Sequence, residues 1–277
     1  MQVELVNWTT YGKEMLILAK STRLKFDAKK FEEILNWSDE DKDLEIDYIS
    51  KTIPSSWEFV DYTFVINEVT RAFTHQFIRN RTGSYAQQSM RTIDEEGFNY
   101  EITGDLKDPK DEKQEENRNI YMNEMDNIAD SYKLLKDRGV PPQDARGILP
   151  TNICNGILGK FNLRNISGMA ELRLCSRSQG EMQNVMRLMR EKIIEVHPWA
   201  EKFINCYCVN HGTCAFPNYK GCSIKPSMFE PSTGGVWDEN GEPRQLMSGE
   251  RPLSRQEVYE RWCNTMEEAV PIHDTRS

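Results

Sequence analysis

Residues 79–91 read RNRTGSYAQQSMR, and this segment contains three arginines, two serines and two glutamines. It follows a stretch with helical spacing, residues 70–78, and Gly83 marks a turn inside it. Hydroxyl groups, amides and backbone N–H groups in such a loop can surround a phosphate and the edges of a base together. The alternative is that these arginines are solvated or paired for structural reasons only. We call residues 79–91 the arginine segment.

The charge pattern around this segment favours a pocket for a small anion. The chain holds 35 Lys and Arg against 44 Asp and Glu, which gives a formal net charge of −9. Residues 69–93 nevertheless contain four arginines and no acid, and residues 145–179 contain five Lys or Arg against Glu171 alone. Because guanidinium groups match phosphate oxygens, a phosphate or nucleotide is the natural candidate ligand.

Composition excludes several classes of protein. With 277 residues, 38% of them hydrophobic, the chain can bury a core, and no apolar run is long enough to span a membrane. A net charge of −9 argues against general binding to nucleic acid. The N-terminus lacks the pattern of a signal peptide, and the seven cysteines are an odd number. We therefore expect reduced thiols in a cytoplasmic protein.

The order of sequence patterns predicts an α+β fold, a single domain with a β-sheet flanked by helices. Alternation of apolar and polar residues predicts strands over 3–6 and 59–69. Helical spacing and helix-terminus signals predict helices at 26–37, 38–53, 70–78, 121–135, 162–174, 179–196 and 255–268. Residues 105–117 are dense in charge and predict a solvated insert. We expect one domain over residues 1–222 and a polar C-terminal extension over 223–277.

The arginine segment resembles the signature of the flavin-dependent thymidylate synthases, R-H-R-x-x-S-x-N-x-x-S-x-R. Five fixed positions match, namely Arg79, Arg81, Ser84, Ser89 and Arg91. Asn80 stands where the signature has His, and Ala86 where it has Asn. The resemblance continues in the same order through residues 69–76, 145–150, 162–164, 171–173 and 177–181, and spans about residues 58–205.

This resemblance implies an activity and a set of site residues. Members of the family methylate C5 of dUMP with reduced FAD and methylenetetrahydrofolate, NADPH reduces the flavin, and the sites form between subunits of a homotetramer. The residues implied to hold the nucleotide are Gln76, Arg79, Gln87, Ser89, Arg91 and Arg146. Those implied to contact the flavin are Ser55, Arg79, Asn80, Arg81, Asn162 and Arg164. Arg173 is implied to be catalytic, because a guanidinium against the pyrimidine O2 and N3 stabilises negative charge on the ring.

Helical phase places Asn162 and Arg173 on one shared face, since they are eleven residues, or three turns, apart. Two other functions stay open. The substitutions at Asn80, Ala86 and Gly168 are compatible with another pyrimidine nucleotide or outcome, such as dCMP methylation or hydroxymethylation. The third hypothesis is that the protein is a catalytically inactive homologue that only binds a nucleotide. We expect no membrane partner and no direct binding to nucleic acid.

A second cluster, of four cysteines and one histidine, is a candidate metal site. Its possible ligands are Cys206, Cys208, His211, Cys214 and Cys222. Four of these soft ligands could complete the tetrahedron that zinc prefers. Their spacing is not that of a standard pair of cysteines two residues apart, and buried or surface thiols without a metal are the alternative. The sequence therefore assigns no metal.

Overall fold

A computed structural model of the protein describes residues 1–21, 28–92, 95–102, 104–178 and 180–268. The helices in this part of the chain are α1 (Gly12–Lys20), α2 (Ala28–Leu35), α3 (Asp39–Ser50), α4 (Arg71–Phe77), α5 (Glu112–Asp137), α6 (Pro142–Ala145), α7 (Leu163–Arg173), α8 (Gly180–Val196), α9 (Tyr207–His211) and α10 (Arg255–Glu268). The strands are β1 (Gln2–Trp8), β2 (Asp61–Thr70), β3 (Ser84–Gln87), β4 (Cys154–Asn162), β5 (Phe229–Glu230), β6 (Gly235–Trp237) and β7 (Pro243–Arg244). The expected mixture of helices with a sheet is confirmed.

The larger sheet has four strands in the order β1-β2-β4-β3. In β2 the alternation expected from the sequence is present, because Tyr62, Phe64 and Ile66 are fully buried. The strand begins two residues later than predicted, since a 3₁₀ helix occupies Pro54–Phe59. A proline at the first position of this short helix is favourable, because its missing N–H has no partner to lose there.

The chain divides into two compact units. Unit 1 consists of Met1–Glu4 and Phe64–Gly159, and unit 2 of Leu5–Thr63 and Lys160–Ser277. Strands β1, β2 and β4 therefore contribute residues to both units. The boundary predicted between residues 222 and 223 stays a prediction.

Unit 1 contains α4 and the long helix α5. Thr70 caps α4, with its Oγ1 accepting a hydrogen bond from the backbone N–H of Phe73 at 2.9 Å. Helix α5 begins at Glu112, inside the segment predicted to be a solvated insert, because Asp111 caps it by accepting from the N–H of Gln114 at 2.8 Å. The charged residues of this segment thus form the first turns of α5.

The apolar face of α8 in unit 2 is core. Its fully or almost fully buried side chains are Met182, Val185, Met186, Met189 and Ile193. Because these side chains are buried within a single chain, this apolar face packs into the core. No helix in the described part of the chain is both long enough and apolar enough to cross a membrane.

The segment expected to be a polar extension has a structure of its own within unit 2. Strands β5, β6 and β7 form an antiparallel sheet, and Val236, Trp237 and Trp262 are buried. Lys225 is also buried, with Nζ donating to the carbonyl oxygens of Pro217, Tyr219 and Gly241 at 2.5, 3.0 and 3.3 Å. Nζ lies 3.7 Å from the centre of the Trp237 ring, so a cation–π contact adds to these bonds.

A buried histidine makes the stability of the fold depend on pH. His197 is 5% exposed, and its Nδ1 is 2.9 Å from the hydroxyl of Tyr62. Burial lowers the pKa of His197 to about 4, against a smaller opposite effect of Glu14. Between pH 6.5 and 4 the unfolded chain therefore binds a proton that the folded chain does not, and stability falls as the pH falls through this window.

We expect His197→Asn to reduce this pH dependence, because Asn can keep a hydrogen bond to Tyr62 and does not titrate. On lowering the pH from 7 to 5 the unmodified protein should lose about 2 kcal/mol more unfolding free energy than the variant. Urea denaturation at the two pH values measures both losses. Equal losses in the two proteins would show that His197 folds with an ordinary pKa.

Candidate functional site

The arginine segment lies in unit 1 after α4 and includes β3, and a tyrosine holds its first turn. The hydroxyl of Tyr85 donates to a backbone carbonyl, with its oxygen 2.7 Å from Asn80 O and 3.1 Å from Phe77 O. Burial raises the pKa of Tyr85 to about 12, so the hydroxyl keeps its proton at neutral pH. The side chain of Asn80 also serves the turn, because its Oδ1 accepts from the hydroxyl of Thr82 at 2.8 Å. Asn at the position of the signature histidine thus has a local structural role.

Three arginines of this segment carry their charge without a carboxylate partner. Arg79, Arg81 and Arg91 are exposed, and none forms an ion pair within the part of the chain that the structure describes. Other cations in unit 1 do find acids: Lys107 lies 3.1 Å from Glu101. Unpaired guanidinium groups in one short segment offer several donors to an anionic ligand.

Two further arginines of unit 1 lie close to each other. Burial lowers the pKa of Arg71, the positive charge of Arg146 lowers it further, and the buried Glu95 acts in the opposite direction. The Nε of Arg146 donates to Gln143 O at 3.1 Å, which orients that side chain. Like charges this close favour a bound anion. The sequence placed Arg71 in an acid-poor region but did not select it as a site residue.

Two glutamines of the arginine segment, Gln87 at the end of β3 and Gln88 directly after it, form hydrogen bonds with α4 and β4. The side-chain amide of Gln87 donates to Thr74 Oγ1 at 2.7 Å and to Asn155 Oδ1 at 3.4 Å, which leaves its Oε1 as an acceptor. Beside it, Gln88 exchanges hydrogen bonds with Gly156: Gln88 N donates to Gly156 O at 3.0 Å, and Gly156 N to Gln88 Oε1 at 3.1 Å. A Cβ at residue 156 would lie 2.7 Å from Asn67 Oδ1, so this close approach requires glycine.

The predicted nucleotide residues all belong to unit 1. They are Gln76, Arg79, Gln87, Ser89, Arg91 and Arg146. Ser89 Oγ accepts from the N–H of Arg91 at 3.2 Å, so a local hydrogen bond also stabilises the backbone at the end of the segment. Asn80 and Arg81, predicted to contact the flavin, belong to the same unit.

Helix α7 positions two predicted residues of unit 2. Asn162 is its N-cap, with Oδ1 accepting from the N–H of Asn165 at 2.9 Å, and Arg173 is its last residue. The predicted three-turn phase holds, but the residues stand at opposite ends of the helix, about 16 Å apart along its axis. Arg173 is half-buried and has no side-chain hydrogen bond or ion pair with the described residues.

The other two predicted flavin residues of unit 2, Arg164 and Ser55, differ in whether they already have a partner in the structure. Arg164 forms an ion pair with Glu58, so its charge is already partnered. Ser55 is exposed in the 3₁₀ helix Pro54–Phe59. In the same helix Ser56 Oγ and Trp57 Nε1 are buried without a partner among the described residues.

One of the five candidate metal ligands, His211, is bound to other groups in the structure. His211 Nε2 is 3.1 Å from Glu171 Oε1, and its ring stacks on Tyr207, so this imidazole is committed elsewhere. Among residues 1–268, leaving out the short gaps in the description, no three His, Cys, Asp or Glu side chains are arranged to hold a metal ion. All seven cysteines are free thiols.

These arrangements define an α+β protein with an arginine-rich segment in unit 1 whose guanidinium groups are exposed and have no carboxylate partner among the described residues. The profile of the family described as "Thymidylate synthase complementing protein" matches residues 4–199. The chain belongs to this family, and the predicted family and the prediction of an enzyme of this type are confirmed.

Relatives named flavin-dependent thymidylate synthase cover most of the chain. The protein of Sulfurisphaera tokodaii is 30% identical over 76% of this chain and 80% of its own length. The protein of Saccharolobus solfataricus is 29% identical over 76% of this chain and 79% of its own.

A solved structure shares the fold. The UMP/dUMP methylase PolB from Streptomyces cacaoi, bound with 5-Br dUMP, superposes with a TM-score of 0.59. It is 17% identical and matches 73% of this chain and 94% of its own. At this identity the likeness concerns the fold alone.

Proposed function

We propose that this enzyme transfers a one-carbon unit from methylenetetrahydrofolate to C5 of dUMP and yields dTMP, with FAD as cofactor and NADPH as reductant. The observation that carries the proposal is the set of exposed, unpaired arginines in the signature segment of this family. An anionic nucleotide needs such donors, and the chain is acidic elsewhere.

In this proposal the arginine segment binds the nucleotide. Arg79 and Arg91 contact the phosphate, together with the Ser89 hydroxyl and Arg146. Gln76 and the free Oε1 of Gln87 contact the base or sugar, since an amide oxygen can accept from a base N–H. The Gln87–Thr74 bond holds that amide in place.

The donor set also fits a flavin dinucleotide. Arg79, Asn80 and Arg81 offer donors to a pyrophosphate, and Arg81 has no competing carboxylate in the described chain. The further residues proposed to contact the flavin are Ser55, Asn162 and Arg164. When bound, reduced flavin supplies the electrons that convert the transferred one-carbon unit to a methyl group.

Arg173 is the proposed catalytic residue. An unpaired guanidinium at O2 and N3 of the pyrimidine stabilises the negative charge that develops as C5 becomes nucleophilic. Its position at the C-terminus of α7 suits a cation, because the helix dipole is negative there. No cysteine nucleophile is required by this scheme.

We further propose a cytoplasmic homotetramer. Its support is the family resemblance, the free thiols and two exposed apolar residues of α5, Ile120 and Leu134, which are 67% and 51% exposed. Light scattering tests the assembly, and a fully active monomer would contradict shared sites.

Product analysis tests the proposed reaction. The purified full chain is supplied with FAD, NADPH, methylenetetrahydrofolate and either dUMP or dCMP, and the products are weighed by mass spectrometry. We expect a gain of one methyl group on dUMP and none on dCMP. A methylated dCMP or a hydroxymethyl product would replace the proposal with another substrate or outcome. If no flavin binds at high concentration, the enzyme is not acting in this way.

Arg91→Ala should weaken nucleotide binding more than it slows turnover, because a phosphate contact acts about equally in the ground and transition states. Losing charge-assisted hydrogen bonds costs about 1.5–3 kcal/mol, so KM for the nucleotide should rise about tenfold to a hundredfold. Steady-state kinetics measures KM and kcat. Arg138→Ala, an exposed arginine at the C-terminal end of α5 in the same unit, is the control and should change neither. A fall in kcat with unchanged KM would assign Arg91 to the chemical step.

A further inference from the structure

A small cavity in unit 2 is lined by cysteines that are distant in sequence. Its volume is about 30 Å³, which suits a single ion or water and excludes an organic cofactor. Five of the seven cysteines line it, namely Cys175, Cys206, Cys208, Cys214 and Cys222. Cys175 follows α7, Cys206 and Cys208 lie at the start of α9, and Cys214 and Cys222 follow it. The fold therefore collects soft ligands at one point.

Backbone amides are directed at three of these sulfurs. The N–H of Phe216 donates to Cys214 Sγ at 3.3 Å. The amides two residues after Cys175 and Cys206, those of Arg177 and Cys208, donate to these sulfurs in the same way. An amide that donates to sulfur stabilises a thiolate, and such outer hydrogen bonds orient ligands at metal sites.

These thiols are withdrawn from water and contact one another. Cys206 is buried, the other four are half-buried, and Cys175 and Cys206 share a hydrogen bond. Burial disfavours a free thiolate, so a reactive or redox cysteine is a weaker interpretation. A divalent cation overcomes the cost of burial, since it stabilises several thiolates at once.

The surroundings suit a negatively charged metal centre. The Lys225 ammonium lines the cavity, and the guanidinium of Arg177 lies 4.4 Å from the centre of the Phe216 ring. These cations would balance a zinc tetrathiolate, whose net charge is negative. Trp262 also lines the cavity, and its buried Nε1 has no acceptor among the described residues.

We propose that this cavity binds one Zn²⁺ through four cysteine thiolates. Cys175, Cys206 and Cys214, each with an amide donor, supply three ligands, and Cys208 or Cys222 supplies the fourth. Binding releases the thiol protons to solvent and involves no change of oxidation state. No three possible ligands in the described chain already have metal-site geometry, so binding must draw the sulfurs together. Residues 212–224, which carry Cys214 and Cys222, form no helix or strand and can make that adjustment.

Metal analysis of the reduced full chain tests the site. We expect one zinc per chain after purification without chelator, and replacement by Co²⁺ should produce the intense sulfur-to-cobalt absorption of a tetrahedral thiolate site. Cys175→Ser, Cys206→Ser and Cys214→Ser should each lose the ion. Of Cys208→Ser and Cys222→Ser, one should lose it and the other keep it. Cys154→Ser and Cys263→Ser alter cysteines outside the cavity and should keep it.

The proposal is overturned if the reduced protein retains no zinc and gives no cobalt–thiolate spectrum. Bound iron, or equal loss of zinc from the two control variants, would also overturn it. Circular dichroism of each variant shows whether it folds, and a variant that fails is replaced by the Ala change at the same position. Because neither nucleotide nor flavin is added, these results do not depend on the proposed reaction.

Discussion

Arg173→Ala is expected to lower turnover about a hundred- to a thousand-fold while nucleotide affinity changes little. Loss of a donor that stabilises transition-state charge costs about 2.7–4 kcal/mol in a buried site. Steady-state kinetics measures turnover, and calorimetry measures nucleotide affinity separately. The contrast with Arg91→Ala, whose effect should lie in KM, separates charge stabilisation from phosphate binding.

Two further variants sharpen the Arg173 experiment. Arg173→Lys should not restore turnover, because an ammonium lacks the planar pair of donors that faces two adjacent ring atoms. Arg251→Ala, an exposed arginine of unit 2 paired with Glu257, should leave turnover unchanged. If Arg173→Ala keeps near-normal turnover and loses affinity only, then Arg173 binds the nucleotide and does not assist the chemistry.

Lys225→Met should destabilise unit 2 strongly. The change removes the donor from three carbonyl oxygens, of which that of Gly241 is in a buried hydrogen bond and those of Pro217 and Tyr219 are in partly buried ones. Because an unsatisfied buried group costs about 1–3 kcal/mol and a partly buried one less, we expect a loss of about 2–4 kcal/mol in unfolding free energy. Urea denaturation followed by tryptophan fluorescence reports the loss, since Trp237 and Trp262 are buried in this unit.

Lys220→Met is the matched control for Lys225. Lys220 is only five residues away, but it is exposed and paired with Glu242 at the surface. Exposed pairs contribute little to stability, so the removal of Lys220 should cost far less unfolding free energy than the removal of Lys225. Both variants are measured at the same zinc concentration. If they lose similar amounts of unfolding free energy, the buried ammonium of Lys225 is not a principal anchor of the C-terminal part of unit 2.

Sequence patterns predicted the elements whose signals are local. The alternation in β2 and the helical spacing of residues 70–78 both arise within a few residues, so the sequence alone predicted both elements. Strand β4 was missed because glycines interrupt its apolar pattern. Gly156 is needed there for a close approach to Asn67 and Gln88, which only the folded sheet brings together.

The candidate site was predictable as a charge pattern and not as an arrangement. The absence of acids near the arginine segment identified its arginines. Helical phase predicted that Asn162 and Arg173 share one face of a helix three turns apart, and the structure places them at the two ends of α7. At the cysteine cavity, spacing suggested His211 and overlooked Cys175. The pairing of His211 with Glu171 and the return of the chain to the end of α7 depend on tertiary packing.

The bonds of Tyr85 have a thermodynamic consequence for ligand binding. Because its hydroxyl and the Asn80–Thr82 contact hold the turn of the arginine segment before any ligand arrives, the backbone there is already ordered. Ordering a loop on binding usually subtracts from affinity. Here the entropy of the backbone is lost during folding, so more of the enthalpy of each guanidinium–phosphate contact remains as binding free energy.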